Sequence, residues 1–412
     1  MKKKINIGFF GTRGLGNYGG FETIAQKLHE NIDNQNFNLF VSKEREQGNK
    51  YELEKINNTT TLINQNNSFL KKYSKYMDNI VNEGNIITDC YKENQWNLDV
   101  IFQCGSTPGL WMRGIKKNGP LLFWNPDGIE WKRKKFPLYG RAILYLSTLR
   151  GIKNSHAITV DSKAIGKYLK GMIGNKPLYY LPSGTDLVEE KDVEESILKK
   201  YDLEKNNYYV MVGRAVPENH VIEILRYFLK CKTSKKLMVI ANFGEDDYSQ
   251  KALKIISENK DKLIYKGPIY NQKELRTVRY FAYAYLHGHS VGGTNPSLLE
   301  ALGVGNPCVC YDVVYNREVA KDASEYFFNL DSFVEIINKL EENSGKVKKM
   351  SQMAKSIIEE NFKWDYISEL HESIVVHCLL KNKKITQEEF QEWLEKKIYK
   401  NKLKENGFGL LR

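Results

Sequence analysis

The chain has 412 residues, enough for two or three domains at roughly 150 residues each, and its 41% hydrophobic and 27% charged residues exclude collagenous, wholly disordered and single-module classes. Sixty-two Lys and Arg against fifty Asp and Glu leave a net charge of +12, which implies attraction to nucleic acid, a nucleotide or an acidic membrane surface. Its apolar runs fall far short of the roughly 18 residues a membrane helix needs, and the lack of an aromatic RNA-binding motif or a zinc-finger spacing sets nucleic acid behind the other two.

The basic start, Met1 to Lys4, leads into a strand-like run, Ile5 to Phe10, without the apolar segment of an export signal. Six cysteines (Cys90, Cys104, Cys231, Cys308, Cys310, Cys378) lack CxxC spacing, which argues for reduced thiols in a cytoplasm. The next stretch, Gly11-Thr12-Arg13-Gly14-Leu15-Gly16-Asn17-Tyr18-Gly19-Gly20, follows that strand and precedes a helix whose apolar face is Phe21, Ile24, Ala25 and Leu28. Gly14, Gly16 and Gly19 satisfy GxGxxG, where glycines admit a phosphate or sugar close to the backbone at a helix N-terminus. A dinucleotide site would also want an acidic residue closing the next strand, yet Leu39 to Val41 ends in Ser42-Lys43, with Glu44 beyond. A turn serving backbone geometry alone is the plainer alternative, although five glycines and Arg13 exceed what a turn requires.

Strand-like runs continue at Leu39–Val41, Val100–Gln103, Leu121–Trp124, Ala157–Val160 and Leu178–Leu181, alternating with helical patterns, with an Asn-rich patch from Asn57 to Asn67. A second cycle runs through Tyr208–Val212, Leu237–Ile240, Leu263–Tyr265, Ala282–Leu286 and Cys308–Tyr311. Such alternation predicts two parallel α/β, Rossmann-like halves facing a central cleft. The boundary falls at Pro182 to Asp186, giving domains 1–185 and 186–375, followed by a helical tail, 376–412. In that tail Thr386 and Glu389 predict a capping box, and Phe390, Trp393, Leu394 and Ile398 one apolar helix face.

Several residues carry possible chemistry. Asp127, in Asn125-Pro126-Asp127-Gly128, and Asp161 both follow strands and should lie at strand C-termini, where either could take a proton. Plainer roles are an Asx-type turn for Asp127 and a helix N-cap for Asp161. Lys132-Arg133-Lys134-Lys135, followed by Phe136, Leu138, Tyr139, Ile143, Leu144, Tyr145 and Leu146, predicts a basic, aromatic surface suited to an anionic bilayer, or else a solvated charge run before a core helix.

The most informative stretch runs from Gly288-His289 through Gly292-Gly293-Thr294-Asn295-Pro296-Ser297-Leu298 to Glu300 and Gly303. Thr294 or Asn295 can cap a helix with Pro296 at its first position, leaving backbone N–H groups for a diphosphate. Glu300, one turn inside, suits ribose hydroxyls, and its apolar neighbours predict a buried partner for it. His287 and His289 share a strand face, but no third metal ligand lies near them in the sequence.

These stretches, with Gly213-Arg214-Ala215-Val216-Pro217-Glu218-Asn219 and Leu181 to Asp186, resemble glycosyltransferase family 4, retaining enzymes of the GT-B fold. Asn17 to Thr23, Asn125 to Arg133 and His287 to Glu300 are most similar to its bacterial β-1,4-rhamnosyltransferase branch, which acts on lipid-linked sugars in capsule and cell-wall polysaccharide assembly. The resemblance implies donor contacts from Arg13, Gly16, Gly19, Gly20, Arg214, Asn219, His289, Gly292, Gly293, Thr294, Asn295, Ser297, Leu298 and Glu300. It implies acceptor contacts from Tyr18, Glu22 and Glu130, and tilts the proton-accepting role from Asp127 toward Asp161. The family's E-x7-E pair keeps Glu300 but has Gly292 at its first position, and Asn219 stands where a lysine is usual, so Arg214 and Arg13 are left to meet the diphosphate. No Asp pair has i, i+2 spacing, which implies metal-independent transfer. The expected donor is a nucleotide sugar, dTDP-rhamnose, with no cofactor, and the partners are a polyprenyl-diphosphate-linked saccharide and an anionic membrane surface. A UDP-sugar donor, an NAD-dependent oxidoreductase and a non-catalytic membrane scaffold are the alternatives.

Overall fold

The computed structural model of the chain describes residues 3–17, 19–45, 51–66, 75–111, 119–133 and 136–411. They fold as two units, one of residues 1–183 and 364–412 and the other of residues 184–363.

In the first unit β1 (Ile5–Phe10), α1 (Gly20–Asn31), β2 (Phe37–Arg45), β3 (Tyr51–Lys55), β4 (Thr60–Asn66), α2 (Lys75–Lys92), β5 (Val100–Cys104), β6 (Leu121–Asn125), α3 (Leu138–Asn154), β7 (Ala157–Val160), α4 (Lys163–Ile173) and β8 (Leu178–Tyr180) follow in order. The strands form an eight-stranded sheet, β3-β4-β2-β1-β5-β6-β7-β8, parallel except for β3 against β4. Every residue of β5 and β6 is buried, as continuous apolar runs covered on both faces require. The β3 and β4 hairpin is absent from the sequence reading, which saw only an Asn-rich patch there. Its strand Tyr51–Lys55 reads YELEK and is exposed beyond its first residue, so it lacks an apolar signal. Its turn rests on Asn57, whose Oδ1 accepts the N–H groups of Thr59 at 2.9 Å and Thr60 at 2.7 Å.

The second unit contains β9 (Tyr208–Val212), α5 (Val221–Phe228), β10 (Lys236–Ile240), α6 (Asp247–Glu258), β11 (Leu263–Tyr265), α7 (Gln272–Tyr280), β12 (Ala284–His287), α8 (Pro296–Gly303), β13 (Cys308–Tyr311), α9 (Val314–Ala320), β14 (Ser324–Phe327), α10 (Leu330–Glu342) and α11 (Ser344–Asn361). Its six strands run β11-β10-β9-β12-β13-β14, and all the pairs are parallel. Strand order reverses between β1 and β5 in the first sheet and between β9 and β12 in the second. Such switch points open a crevice at the strand C-termini.

The chain then enters α12 (Trp364–Lys381), α13 (Gln387–Glu395) and α14 (Lys400–Glu405). A separate tail from residue 376 does not form, because α12 runs straight through that position. Its Ile367, Leu370, Ile374 and Val375 join Phe9, Phe102 and Tyr179 in one buried core. The Thr386 and Glu389 capping box is present, with Glu389 N–H on Thr386 Oγ1 at 3.1 Å. Phe390, Trp393 and Leu394 are buried as expected, but α13 ends at Glu395, so Ile398 leaves that face and is 81% exposed. The six cysteines are free and buried. Among the described residues no helix is long and apolar enough to cross a membrane.

Candidate functional site

In the second unit the loops after β9 and β12, neighbours at the switch point, gather most of the expected donor residues. Asn295, rather than Thr294, caps α8: its Oδ1 accepts Ser297 N–H at 3.0 Å, and Pro296 occupies the first helical position. Thr294 is buried beside it, and Leu298 anchors the helix in the core. Gly292 adopts φ +114°, a left-handed conformation that side chains rarely take, so glycine is needed there to turn the loop onto the helix N-terminus.

The buried partner expected for Glu300 is Arg279, at the end of α7. Its Nη1 lies 2.7 Å from Glu300 Oε2, and the two side chains are 3% and 39% exposed respectively. Arg279 Nη2 also donates to Ser297 Oγ at 3.1 Å. Ser297 Oγ lies 2.7 Å from the Tyr285 hydroxyl, which is 3.0 Å from the Val212 carbonyl at the end of β9. Neither Arg279 nor Tyr285 was a sequence candidate. The signal for Arg279 was its spacing: Leu275, Val278 and Arg279 are all buried, the i, i+3, i+4 stripe of a core-facing helix.

Arg214 is exposed, and its side chain has no partner among the described residues. Its carbonyl accepts Asn219 Nδ2 at 2.9 Å, so buried Asn219 braces the loop that carries the cation. His289 stacks on His287, centroids 4.4 Å apart and planes 11° apart, and covers Gly213, where a Cβ would meet its Cε1 at 3.1 Å. Burial, followed by the neighbouring His289, drives the His287 pKa well below its usual value, so that ring is neutral. Among the described residues no group of three His, Cys, Asp or Glu is arranged to hold a metal.

In the first unit Arg13, Gly16 and Gly19 lie in the loop after β1, and Gly20 and Glu22 lie in the first turn of α1. Arg13 Nε donates to Glu22 Oε1 at 2.9 Å, and this hydrogen bond raises the Arg13 pKa. Glu22 is buried. Gly19 makes room for the pair: a Cβ there would lie 1.9 Å from Glu22 Oε2. Gly16 and Gly20 face open space. Tyr18 lies outside the described residues, as do Lys134 and Lys135.

Asp161 follows β7 but does not cap α4. Ser162 does, its side chain accepting the N–H groups of Ala164 and Ile165, and the plainer role considered for Asp161 goes to its neighbour. The turn at Asn125 to Gly128 is likewise closed by Asn125, whose Oδ1 accepts Asp127 N–H at 2.9 Å, while Asp127 sits at φ +63°. Glu130 is buried and paired with Arg133, Nε to Oε1 2.8 Å. That pairing removes Arg133 from the free basic run.

Residues 193–357 match the family "Glycosyl transferases group 1", and residues 3–186 match a domain of unknown function, DUF1972. The first of these matches spans most of the second unit. A curated uncharacterized glycosyltransferase of Methanocaldococcus jannaschii is 24% identical over 246 residues, covering 57% of this chain and 61% of that relative. Among solved structures, sucrose-phosphate synthase from Thermosynechococcus elongatus superposes with a TM-score of 0.74 at 10% identity, covering 92% of this chain and 100% of that one. Anabaena HepE, solved with UDP-glucose, superposes with a TM-score of 0.66 at 12% identity, over 92% and 100% of the chains. The chain has the GT-B fold, two α/β units of mainly parallel sheet with C-terminal helices.

Proposed function

We propose that the chain is a retaining glycosyltransferase that moves a sugar, rhamnose from dTDP-rhamnose, onto a polyprenyl-diphosphate-linked saccharide in polysaccharide assembly. The observation that carries the reading is the α8 N-terminus: Gly292 and Gly293 lead to a helix capped by Asn295, with Glu300 fixed one turn inside and Arg214, unpartnered among the described residues, in the neighbouring loop after β9. The helix dipole and a cation suit a diphosphate, and a carboxylate suits ribose hydroxyls. During transfer the bond from the anomeric carbon to the diphosphate breaks, and the acceptor oxygen takes its place. The charge growing on the diphosphate is met by the α8 dipole and Arg214. Asp161 takes the acceptor hydroxyl's proton, a role favoured by the assignment of the α4 cap to Ser162. Arg13 and Glu22 act as a pair that orders the loop after β1.

A UDP-sugar donor is the second reading, favoured by the UDP-glucose complex of HepE. Calorimetric titration of the intact protein with dTDP, UDP and their sugars, then product analysis on a lipid-linked acceptor, tests both. The reading fails if the folded protein binds none of them.

A lipid-linked acceptor also calls for a membrane-facing surface. On α3, Leu138 is 80% exposed, Tyr139 74% and Leu146 54%. Lys132 Nζ sits 4.1 Å from the centroid of the Tyr168 ring on α4, and exposed Lys163, Lys167 and Lys170 flank it. Apolar side chains ringed by lysines suit an anionic bilayer. Sedimentation with anionic but not neutral vesicles, reversed by salt, is expected. Vesicle binding that ignores both charge and salt would refute it.

A further inference from the structure

Glu300 is paired unequally. Its carboxylate reaches solvent, whereas the guanidinium that holds it is almost completely enclosed. Enclosing a guanidinium costs desolvation, which its ion pair and hydrogen bonds must offset. Here the desolvated partner lies behind and the open carboxylate in front, beside the α8 N-terminus. Arg279 Nε has no hydrogen-bond partner among the described residues, so the guanidinium is aligned on its two Nη contacts at the expense of its third donor. Those contacts, Ser297 Oγ at 3.1 Å and Glu300 Oε2 at 2.7 Å, lie three residues apart on one face of α8. Through Ser297 and Tyr285 the same network reaches the carbonyl of Val212, two residues before Arg214.

We propose that Arg279 is a positioning residue: it fixes the Glu300 carboxylate in one orientation to accept a hydrogen bond from a ribose hydroxyl of the donor nucleotide. The inference rests on the donor-site reading above. With Oε2 occupied by Arg279, Oε1 is left to accept, and a glutamate that would otherwise sample several rotamers is held in place before the ligand arrives. A lysine could supply the charge but not the planar fork that spans Ser297 and Glu300.

The test is calorimetric titration of the full-length protein with UDP, its 3′-deoxy analogue and inorganic pyrophosphate, in the wild type, R279M, R279K, E300Q and R279M/E300Q, each checked for folding by its melt. The wild type should bind UDP, and R279M and E300Q should each weaken it by about tenfold or more, as for a charge-assisted hydrogen bond. The double variant should be no weaker than the weaker single, because both changes remove one interaction. Loss of the 3′-hydroxyl should cost the wild type affinity and cost R279M little, and pyrophosphate should bind all five proteins alike. R279K, which keeps the buried charge, should fold as the wild type does and still lose the discrimination, so the proposal stays testable if R279M does not fold. Additive effects of R279M and E300Q, equal weakening of UDP and pyrophosphate, or 3′-hydroxyl discrimination surviving in R279K would each overturn the role of Arg279. A folded wild type that binds no nucleotide overturns the donor-site reading itself, a distinguishable result.

Discussion

Arg13 and Arg214 occupy comparable places, each in a glycine-containing loop just after the first strand of its unit, yet their charges are used differently. Arg13 is bound to buried Glu22, and Gly19 is shaped to that pair. Arg214 is exposed, and its loop is braced through its backbone by Asn219. A glycine loop with an arginine is therefore not in itself an anion site; what matters is whether the fold already supplies a carboxylate.

The comparison can be broken or sharpened by experiment. The largest effect is expected at Asp161. Asp161→Asn should keep the fold and nucleotide affinity while transfer falls by about two or more orders of magnitude, because the α4 cap belongs to Ser162. Near-normal turnover would leave the first unit with no proton acceptor at this position.

Next is the acid response of the first unit. Burial lowers the pKa of His371 to about 4, and its Nδ1–H donates to the Ile367 carbonyl at 2.8 Å. His156 and His377 are lowered to about 4 by the same cause. A depressed histidine pKa favours the folded state fully above about pH 6.5, and this stability is lost as pH falls toward 4. His371 alone should account for on the order of 3 kcal/mol. Urea midpoints at pH 7 and 4.5 should show the loss, and His371→Gln should reduce the difference. Equal slopes for the two proteins would refute it.

Arg214→Ala should weaken UDP or dTDP binding by about 1.5 to 3 kcal/mol. The smallest effect is expected from Arg13→Ala, about 1 kcal/mol of stability or less, with nucleotide affinity unchanged. Equal losses of affinity in the two variants would erase the distinction between the loops.

The sequence disclosed the central strands well, because Val100 to Phe102 and Tyr208 to Met211 are buried, and strands covered on both faces are continuously apolar. It missed Tyr51–Lys55 and Ser324–Phe327, edge strands that need only one neighbour and retain polar residues. At the site, Asn295, Pro296 and Glu300 were legible because capping is local. Arg279 was not, since its pairing with Glu300 depends on how α7 and α8 pack. Its place on an apolar stripe was the available clue. The cap of α4, considered as the alternative role for Asp161, falls one residue later on Ser162, a distinction that backbone angles make and composition does not.

The order of the chain through the two units has a consequence for biosynthesis. The second unit is an insertion whose ends are fastened together, Thr185 N–H donating to the Phe362 carbonyl at 2.8 Å, so all of its strands and its closing helix leave the ribosome as one uninterrupted stretch. The first unit is interrupted, because its core requires Trp364, Ile374, Trp393 and Leu403. During synthesis the later-starting unit can complete its core first. The first unit must keep part of its apolar sheet uncovered until residues 364–403 have been made, so a chain cut short before them would spare the second unit and strand the first.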